Sequence, residues 1–165
     1  MHCSSTTLVF SFDEGGDFVT ATENGRAVAC IRHVSRENVM ASSVREMLAE
    51  ANAAVPRLSP AEVRDMIGKG NALIVDVRDA PELAAGGKLK GAVHSSRGML
   101  EFRADPESPY HNPAFQKDKT VLVYCASGGR SALSGMTLKD LGYPSVYNAG
   151  GFKELADAGL DTEPG

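Results

Sequence analysis

The chain has 165 residues, 42% of them hydrophobic, and a formal net charge of −4 at pH 7, which fits one compact core and gives no general attraction for nucleic acid. No apolar run approaches the roughly 18 residues that a membrane-spanning helix needs, and the amino terminus has no basic region followed by an apolar stretch that would indicate export. Three cysteines cannot all pair within one chain, so we expect a reducing, cytoplasmic compartment and no membrane.

The first 39 residues differ in texture from the rest. Glycine-containing turn sequences separate three stretches that are compatible with strands, which would make a small meander: Leu8–Phe12, Phe18–Thr22 and Arg26–Val34. There are two alternatives: these residues are disordered, or the gene start is set too early and the native start is Met40. We therefore divide the chain into an extension (1–39), a helical lead-in (40–56) and a main domain (57–161).

Two helices with amino-terminal caps are predicted next. The first covers 42–54, where Ser43 can cap the helix and Glu46 stands in the capping-box position. The second begins at Ser59, followed by proline and then Glu62, which is a strong helix start. We expect both helices to pack on the surface of the core.

From residue 73 onward the pattern alternates between strands and helices. Predicted strands are Leu73–Val77, Ala92–His94, Thr120–Tyr124 and Ser145–Tyr147, and predicted helices cover 81–85, 96–102, 130–141 and 152–158. A long loop covers 104–118, and residues 161–165 are expected to fray. Such alternation is typical of an α/β fold with a parallel sheet, whose ligand site lies outside the carboxyl ends of the strands.

Cys125 stands at that edge, directly after the apolar strand 120–124. Gly128 and Gly129 allow successive backbone amides to turn toward one centre, and the following helix and Arg130 add positive charge. A thiol held there has a pKa below the roughly 8.5 of a free cysteine. The alternative is a small buried hydrophobic side chain, so the prediction requires a sulfur that solvent reaches and amides that point to it.

A second polar position interrupts the strand 73–77. Asp76 needs a partner if it is buried, and Arg78 or nearby loop amides are the candidates. Four further side chains lie on segments near the same edge, and for each we expect a solvated surface role: His94, Arg97, Arg103 and His111. No cluster of His, Cys and carboxylate residues has metal-ligand spacing, so no metal is expected.

Four motifs occur in one order and spacing: LIVDVR at 73–78, GAVH at 91–94, VLVYCASGGRS at 121–131 and VYNAGGF at 146–152. On these motifs, the segment from about Leu58 to Leu160 resembles a rhodanese domain of the single-domain sulfurtransferase type. The resemblance implies a rhodanese-like α/β fold with about five parallel strands flanked by helices. It also implies a cysteine that cycles through a persulfide.

Carried onto this sequence, the resemblance makes Cys125 the catalytic sulfur carrier, with Asp76 and Arg78 in support. The residues that would bind the transferred sulfur follow the cysteine directly: Ala126, Ser127, Gly128, Gly129, Arg130 and Ser131. The implied partners are a small sulfur donor such as thiosulfate, a cyanide or thiol acceptor, and a protein sulfur acceptor as a further option. No cofactor is implied.

Two other functions stay open. The first is a phosphatase or arsenate reductase, although such enzymes of this fold have one more residue between cysteine and arginine than the four found here. The second is a docking or sulfur-carrier module, which does not need to turn over a substrate. Arg130 is the one cation of the loop, which leaves efficient use of thiosulfate open. Cys30 could act as a resolving thiol or be a plain structural cysteine.

Overall fold

The computed structural model describes residues 43–165 in full and, before them, only the backbone of four two-residue strands. The chain divides into two compact units, 1–40 and 41–165. In the first unit, two antiparallel pairs are formed, β1 (Ser11–Phe12) with β2 (Phe18–Val19) and β3 (Thr22–Glu23) with β4 (Arg26–Ala27). The rest of the expected meander, and Cys30, lie outside the described residues.

The second unit alternates helices and strands along the chain. In order they are α1 (Val44–Ala54), α2 (Pro60–Gly68), β5 (Ala72–Asp76), α3 (Ala80–Gly86), β6 (Lys88–Leu89), β7 (Val93–His94), a 3₁₀ turn (Arg97–Met99), α4 (Leu100–Ala104), β8 (Thr120–Cys125), α5 (Gly129–Asp140), β9 (Val146–Gly151), α6 (Phe152–Asp157) and β10 (Thr162–Glu163). Among the fully described residues, no helix is long and apolar enough to cross a membrane.

The main sheet contains four parallel strands in the order β7-β5-β8-β9. Where the family resemblance implies about five strands, the structure has these four and a single parallel bridge between Arg57 and Asn148 beyond β9. The register shifts between Val123 and Tyr124, which brings Cys125 opposite Gly151. The parallel α/β class is therefore as expected, and the fifth strand is reduced to one residue.

The predicted helix caps are present because they depend only on residues close in sequence. The backbone N–H of Ser59 donates to the Glu62 carboxylate at 2.8 Å, and the Glu62 N–H donates back to the Ser59 hydroxyl at 3.4 Å. At the start of α1, the Glu46 N–H donates to Ser43 Oγ at 3.2 Å. Each cap satisfies amide groups that the first helical turn would leave unpaired.

The core lies on both faces of the sheet. Side chains of β8 alternate between two apolar clusters, with Val121 and Val123 on one face and Leu122 and Tyr124 on the other. All four are fully buried. This double coverage explains why β8 is apolar without alternation, as a buried parallel strand requires.

The carboxyl-terminal end differs from the prediction. Residues 161–165 do not fray, because β10 pairs antiparallel with β6, a two-residue strand that the sequence did not reveal. Lys88 Nζ also lies 2.5 Å from a carboxylate oxygen of Glu163. The prediction was wrong because the tail is held by a partner about 75 residues earlier, which no local pattern reports.

Candidate active site

The strand β8 ends at Cys125, and a short loop leads from it into α5. Ala126 and Ser127 are exposed, and Gly128 has a φ of +103°, a conformation that favours glycine. This backbone turn directs the Gly128 N–H toward the cysteine, with 3.1 Å between its nitrogen and Cys125 Sγ. The loop therefore presents its amides to the sulfur, as the sequence predicts.

These contacts favour the thiolate. Burial raises the pKa of Cys125, but hydrogen bonds from the amides of Ser127, Ser131 and Gly128 and from the Ser131 hydroxyl lower it. The net result is a pKa below the ordinary value of a thiol. A negative charge on this sulfur is thus stabilised by the main chain.

Access to the sulfur differs from the requirement set by the sequence. Cys125 is only 1% exposed, so the sulfur is covered in this structure. The two residues that follow it, Ala126 and Ser127, are exposed and lie on the solvent side of the loop. A reagent therefore reaches the sulfur only when this part of the protein opens.

A buried polar network holds the loop from behind. Ser131 Oγ lies 2.9 Å from the Gly128 carbonyl, 2.8 Å from Asn148 Oδ1 and 3.6 Å from Cys125 Sγ. The Asn148 amide donates to the same carbonyl at 3.0 Å. Sequence reasoning missed Asn148; the signal was a polar residue inside the otherwise small and apolar run of β9.

Arg130 faces carboxylates. Its two terminal nitrogens lie 2.7 and 2.8 Å from the two oxygens of Glu82, and one of them lies 3.4 Å from Asp79. The hydrogen bonds from Arg130 hold the pKa of Glu82 at about 2, far below its usual value. The charge of Arg130 is therefore offset on the α3 side of the loop.

Asp76 and Arg78 form a buried ion pair at the end of β5, the strand that pairs with β8. Arg78 Nη2 lies 2.6 Å from Asp76 Oδ2, and their side chains are 4% and 0% exposed. The same nitrogen donates to the carbonyl of Gly87 at 2.7 Å, and the guanidinium lies 4.1 Å from the ring centre of Phe152. Arg78 is thus the partner expected for Asp76, and the pair joins β5 to the α3–β6 turn and α6.

The other four polar residues singled out from the sequence are half-buried, so the fully solvated role predicted for them was wrong. His94 Nε2 lies 2.9 Å from the carbonyl of Arg78, and Arg97 pairs with Glu101 at 2.8 Å. Arg103 and His111 are half-buried. Within residues 43–165, no group of three or more His, Cys, Asp or Glu side chains could hold a metal ion.

The parallel sheet, the cysteine at the end of its second-to-last strand and the amide loop define an α/β domain with a buried cysteine whose pKa is lowered. Residues 59–158 match the rhodanese-like domain family. The chain belongs to this family.

Three similar proteins concern sulfur chemistry or the same fold. The thiosulfate sulfurtransferase GlpE of Actinobacillus succinogenes is 32% identical over 112 residues, which cover 67% of this chain and 92% of that protein. A polysulfide-sulfur transferase structure from Wolinella succinogenes is 31% identical with a TM-score of 0.59, covering 72% and 85% of the two chains. A structure from Rhodopseudomonas palustris, described as a protein of unknown function and possible tyrosine phosphatase, is 41% identical with a TM-score of 0.69, covering 75% and 96%.

Other curated relatives are longer. The tRNA uridine(34) hydroxylase of Erwinia tasmaniensis is 25% identical over 142 residues, which cover 84% of this chain and 39% of that protein. This chain spans about two-fifths of the length of such hydroxylases.

Proposed function

We propose that the protein is a sulfurtransferase that moves a sulfane sulfur from a donor such as thiosulfate to cyanide or a thiol through a persulfide on Cys125. The observation that carries this proposal is the 3.1 Å contact between the Gly128 amide and Cys125 Sγ, because an N–H donor to the sulfur stabilises the negative charge of a nucleophilic thiolate. The activities named for the Actinobacillus and Wolinella relatives support it.

The reaction has two halves. In the first, the Cys125 thiolate attacks the outer sulfur of thiosulfate, forming the persulfide bond while the original sulfur–sulfur bond breaks and sulfite leaves with its electron pair. In the second, cyanide attacks the outer persulfide sulfur, thiocyanate forms and the thiolate returns. The amides of Ser127, Gly128 and Ser131 stabilise the anion in both states, and the kinetics are ping-pong.

Each half-reaction requires the sulfur to become accessible. Because Cys125 is 1% exposed, donor and acceptor enter during a local opening of the segment that carries Ala126 and Ser127. Asp76 and Arg78 support the site by fixing the end of the adjacent strand. The same opening admits either a small acceptor or the thiol of a partner protein.

The experiment is thiocyanate release from thiosulfate and cyanide by the wild type and by Cys125→Ser. Serine keeps the size of the side chain and removes the sulfur, so we expect turnover to fall to the uncatalysed rate. Cys3→Ser and Cys30→Ser are the matched controls and should retain activity. Turnover by Cys125→Ser would refute the nucleophile, and a persulfide on Cys125 without turnover would identify a sulfur carrier.

A second candidate is phosphate ester hydrolysis, which the Rhodopseudomonas structure described as a possible tyrosine phosphatase favours. Against it, only four residues separate Cys125 from Arg130, and the guanidinium is bound to Glu82, so the loop offers little room or charge for a phosphate. Hydrolysis of an aryl phosphate that Cys125→Ser abolishes would establish this alternative.

Hydroxylation of tRNA is not carried over from the longer relatives. This chain spans about two-fifths of their length, and its net charge of −4 gives no general attraction for a nucleic acid backbone.

A further inference from the structure

A second arginine lies beside the cysteine loop. Arg57 is held at the edge of the sheet next to β9, because the Leu58 N–H donates to the Asn148 carbonyl and the Asn148 N–H donates to the Pro56 carbonyl, both at 2.9 Å. These two backbone hydrogen bonds fix the position from which the Arg57 side chain starts. No local pattern predicts this placement, since about 70 residues separate Arg57 from the loop.

The guanidinium of Arg57 lies against two glycines of the site. A Cβ added to Gly128 would stand 2.7 Å from Arg57 Nη1, and one added to Gly150 would stand 3.2 Å from Arg57 Nη2. The first distance is too short for a Cβ and the second is tight, so the arginine in this position packs closely against both glycines. The amide of the same Gly128 donates to Cys125 Sγ, and one residue of backbone thus separates the cation from the sulfur contact.

Two arginine–carboxylate pairs flank the loop, and they differ in strength. On the α3 side, Arg130 is bound by both oxygens of Glu82 and approached by Asp79. On the α6 side, Arg57 is bound by a single oxygen of Glu154 at 2.7 Å, and both side chains are about half exposed, at 48% and 46%. An exposed pair with one contact is weak and exchanges partners readily.

We propose that Arg57 is the second cation of the Cys125 site and a specificity-determining residue that attracts anionic sulfur donors. The inference rests on the proposed sulfur transfer for its biological meaning. The loop itself contains one cation, Arg130, and two carboxylates neutralise it. Arg57 adds a second positive charge that is paired with only one carboxylate, Glu154. An incoming anion exchanges with Glu154 on the guanidinium and is thereby held beside the loop.

The test compares alkylation of Cys125 by iodoacetate, which is anionic, and by iodoacetamide, which is neutral, with the modified peptide quantified by mass spectrometry. The quantity compared is the rate with iodoacetate divided by the rate with iodoacetamide. Both reagents attack the same thiolate, so the thiolate fraction and the loop opening cancel in this ratio, which reports only local charge. Arg57→Gln should lower the ratio about threefold, and Glu154→Gln should raise it about twofold. Arg64→Gln, an equal charge change on α2, is the matched control and should leave the ratio unchanged.

The two variants separate charge from structure. Both break the same ion pair, so a purely structural role moves the ratio in the same direction in both, and that outcome overturns the inference. An unchanged ratio in Arg57→Gln overturns it too. Arg57→Lys, which keeps the charge, should restore most of the ratio.

Steady-state kinetics then connect Arg57 to the reaction. Arg57→Gln should raise the KM for thiosulfate severalfold with little change in kcat. Alkylation does not depend on sulfur transfer, so the two proposals fail separately. If the variants change the alkylation ratio as expected but the wild type makes no thiocyanate, the proposed function is refuted and the attraction of anions by Arg57 is supported.

Discussion

Replacement of Ser131 by alanine tests the origin of the thiolate. The Ser131 hydroxyl lies 3.6 Å from Cys125 Sγ and is one of the groups that lower the pKa of the thiol. Alanine removes this donor and should raise the pKa. A hydrogen bond contributes about 1 kcal/mol, but this one is long and shared with two other acceptors, so we take roughly 0.7 kcal/mol, which is about a threefold change in the equilibrium between thiol and thiolate.

The assay is the pH dependence of iodoacetamide alkylation at Cys125. The rate rises with pH as the thiolate forms, and its midpoint gives the apparent pKa. In Ser131→Ala the midpoint should move to higher pH, so that below the midpoint the rate falls about threefold. Asn148 and the Gly128 carbonyl remain hydrogen-bonded to each other, which keeps the loop in place.

Ser134→Ala is the matched control. Ser134 is buried on the same helix, and its hydroxyl has no hydrogen-bond partner among the described residues. Its removal should leave the midpoint unchanged and preserve or increase stability, because an unsatisfied buried hydroxyl is costly. An unchanged or lower midpoint in Ser131→Ala, or an equal rise in Ser134→Ala, would refute the assigned hydrogen bond.

Two further predictions concern stability. Because the pKa of Glu82 is about 2 when folded and 4.5 ordinarily, its ion pair with Arg130 stabilises the protein above about pH 4.5 and loses this effect as pH falls through about 2. Because the Glu82 side chain is 35% exposed, we discount the effect to about 1 kcal/mol. Between pH 5 and pH 2, the free energy of unfolding measured in urea should fall by about that much more in the wild type than in Glu82→Gln. Equal losses would contradict the pairing. In α5, Gly135→Ala should lower the Tm, because the new Cβ would stand 2.7 Å from Val55 Cγ1. Overpacking of this kind costs about 1–3 kcal/mol, whereas the higher helix propensity of alanine contributes at most about 1 kcal/mol. Gly68→Ala, with nothing within 4 Å of the new Cβ, should raise the Tm, and a Gly135→Ala variant as stable as wild type would show that α1 moves away freely.

Features that depend on neighbouring residues were predictable. The capping box of Ser59 and Glu62 and the turn before α5 are set by residues within one or two helical turns of each other. The amide loop around Cys125 was predictable for the same reason, because strand, glycines and helix follow directly along the chain. Local preference and tertiary structure agree at these places.

Features that depend on distant partners were not. Glu82, about 50 residues before Arg130, holds its guanidinium, and no local pattern indicates this ion pair. Arg57 and β10 were missed because their partners lie about 70 to 100 residues away, and a strand of two residues carries no periodic signal. The coverage of Cys125 could not be foreseen either, since burial of one atom depends on the packing of several segments.

The last strand links the carboxyl terminus to the chemistry. Glu163 binds Lys88 and the Gly91 amide, directly after the α3 helix that carries Glu82. Gly165 lies so close to the Leu83 carbonyl of α3 that a larger residue would not fit there. Loss of residues 161–165 would remove the pairing of β10 with β6 directly after this helix, so donor preference is best measured with the segment intact.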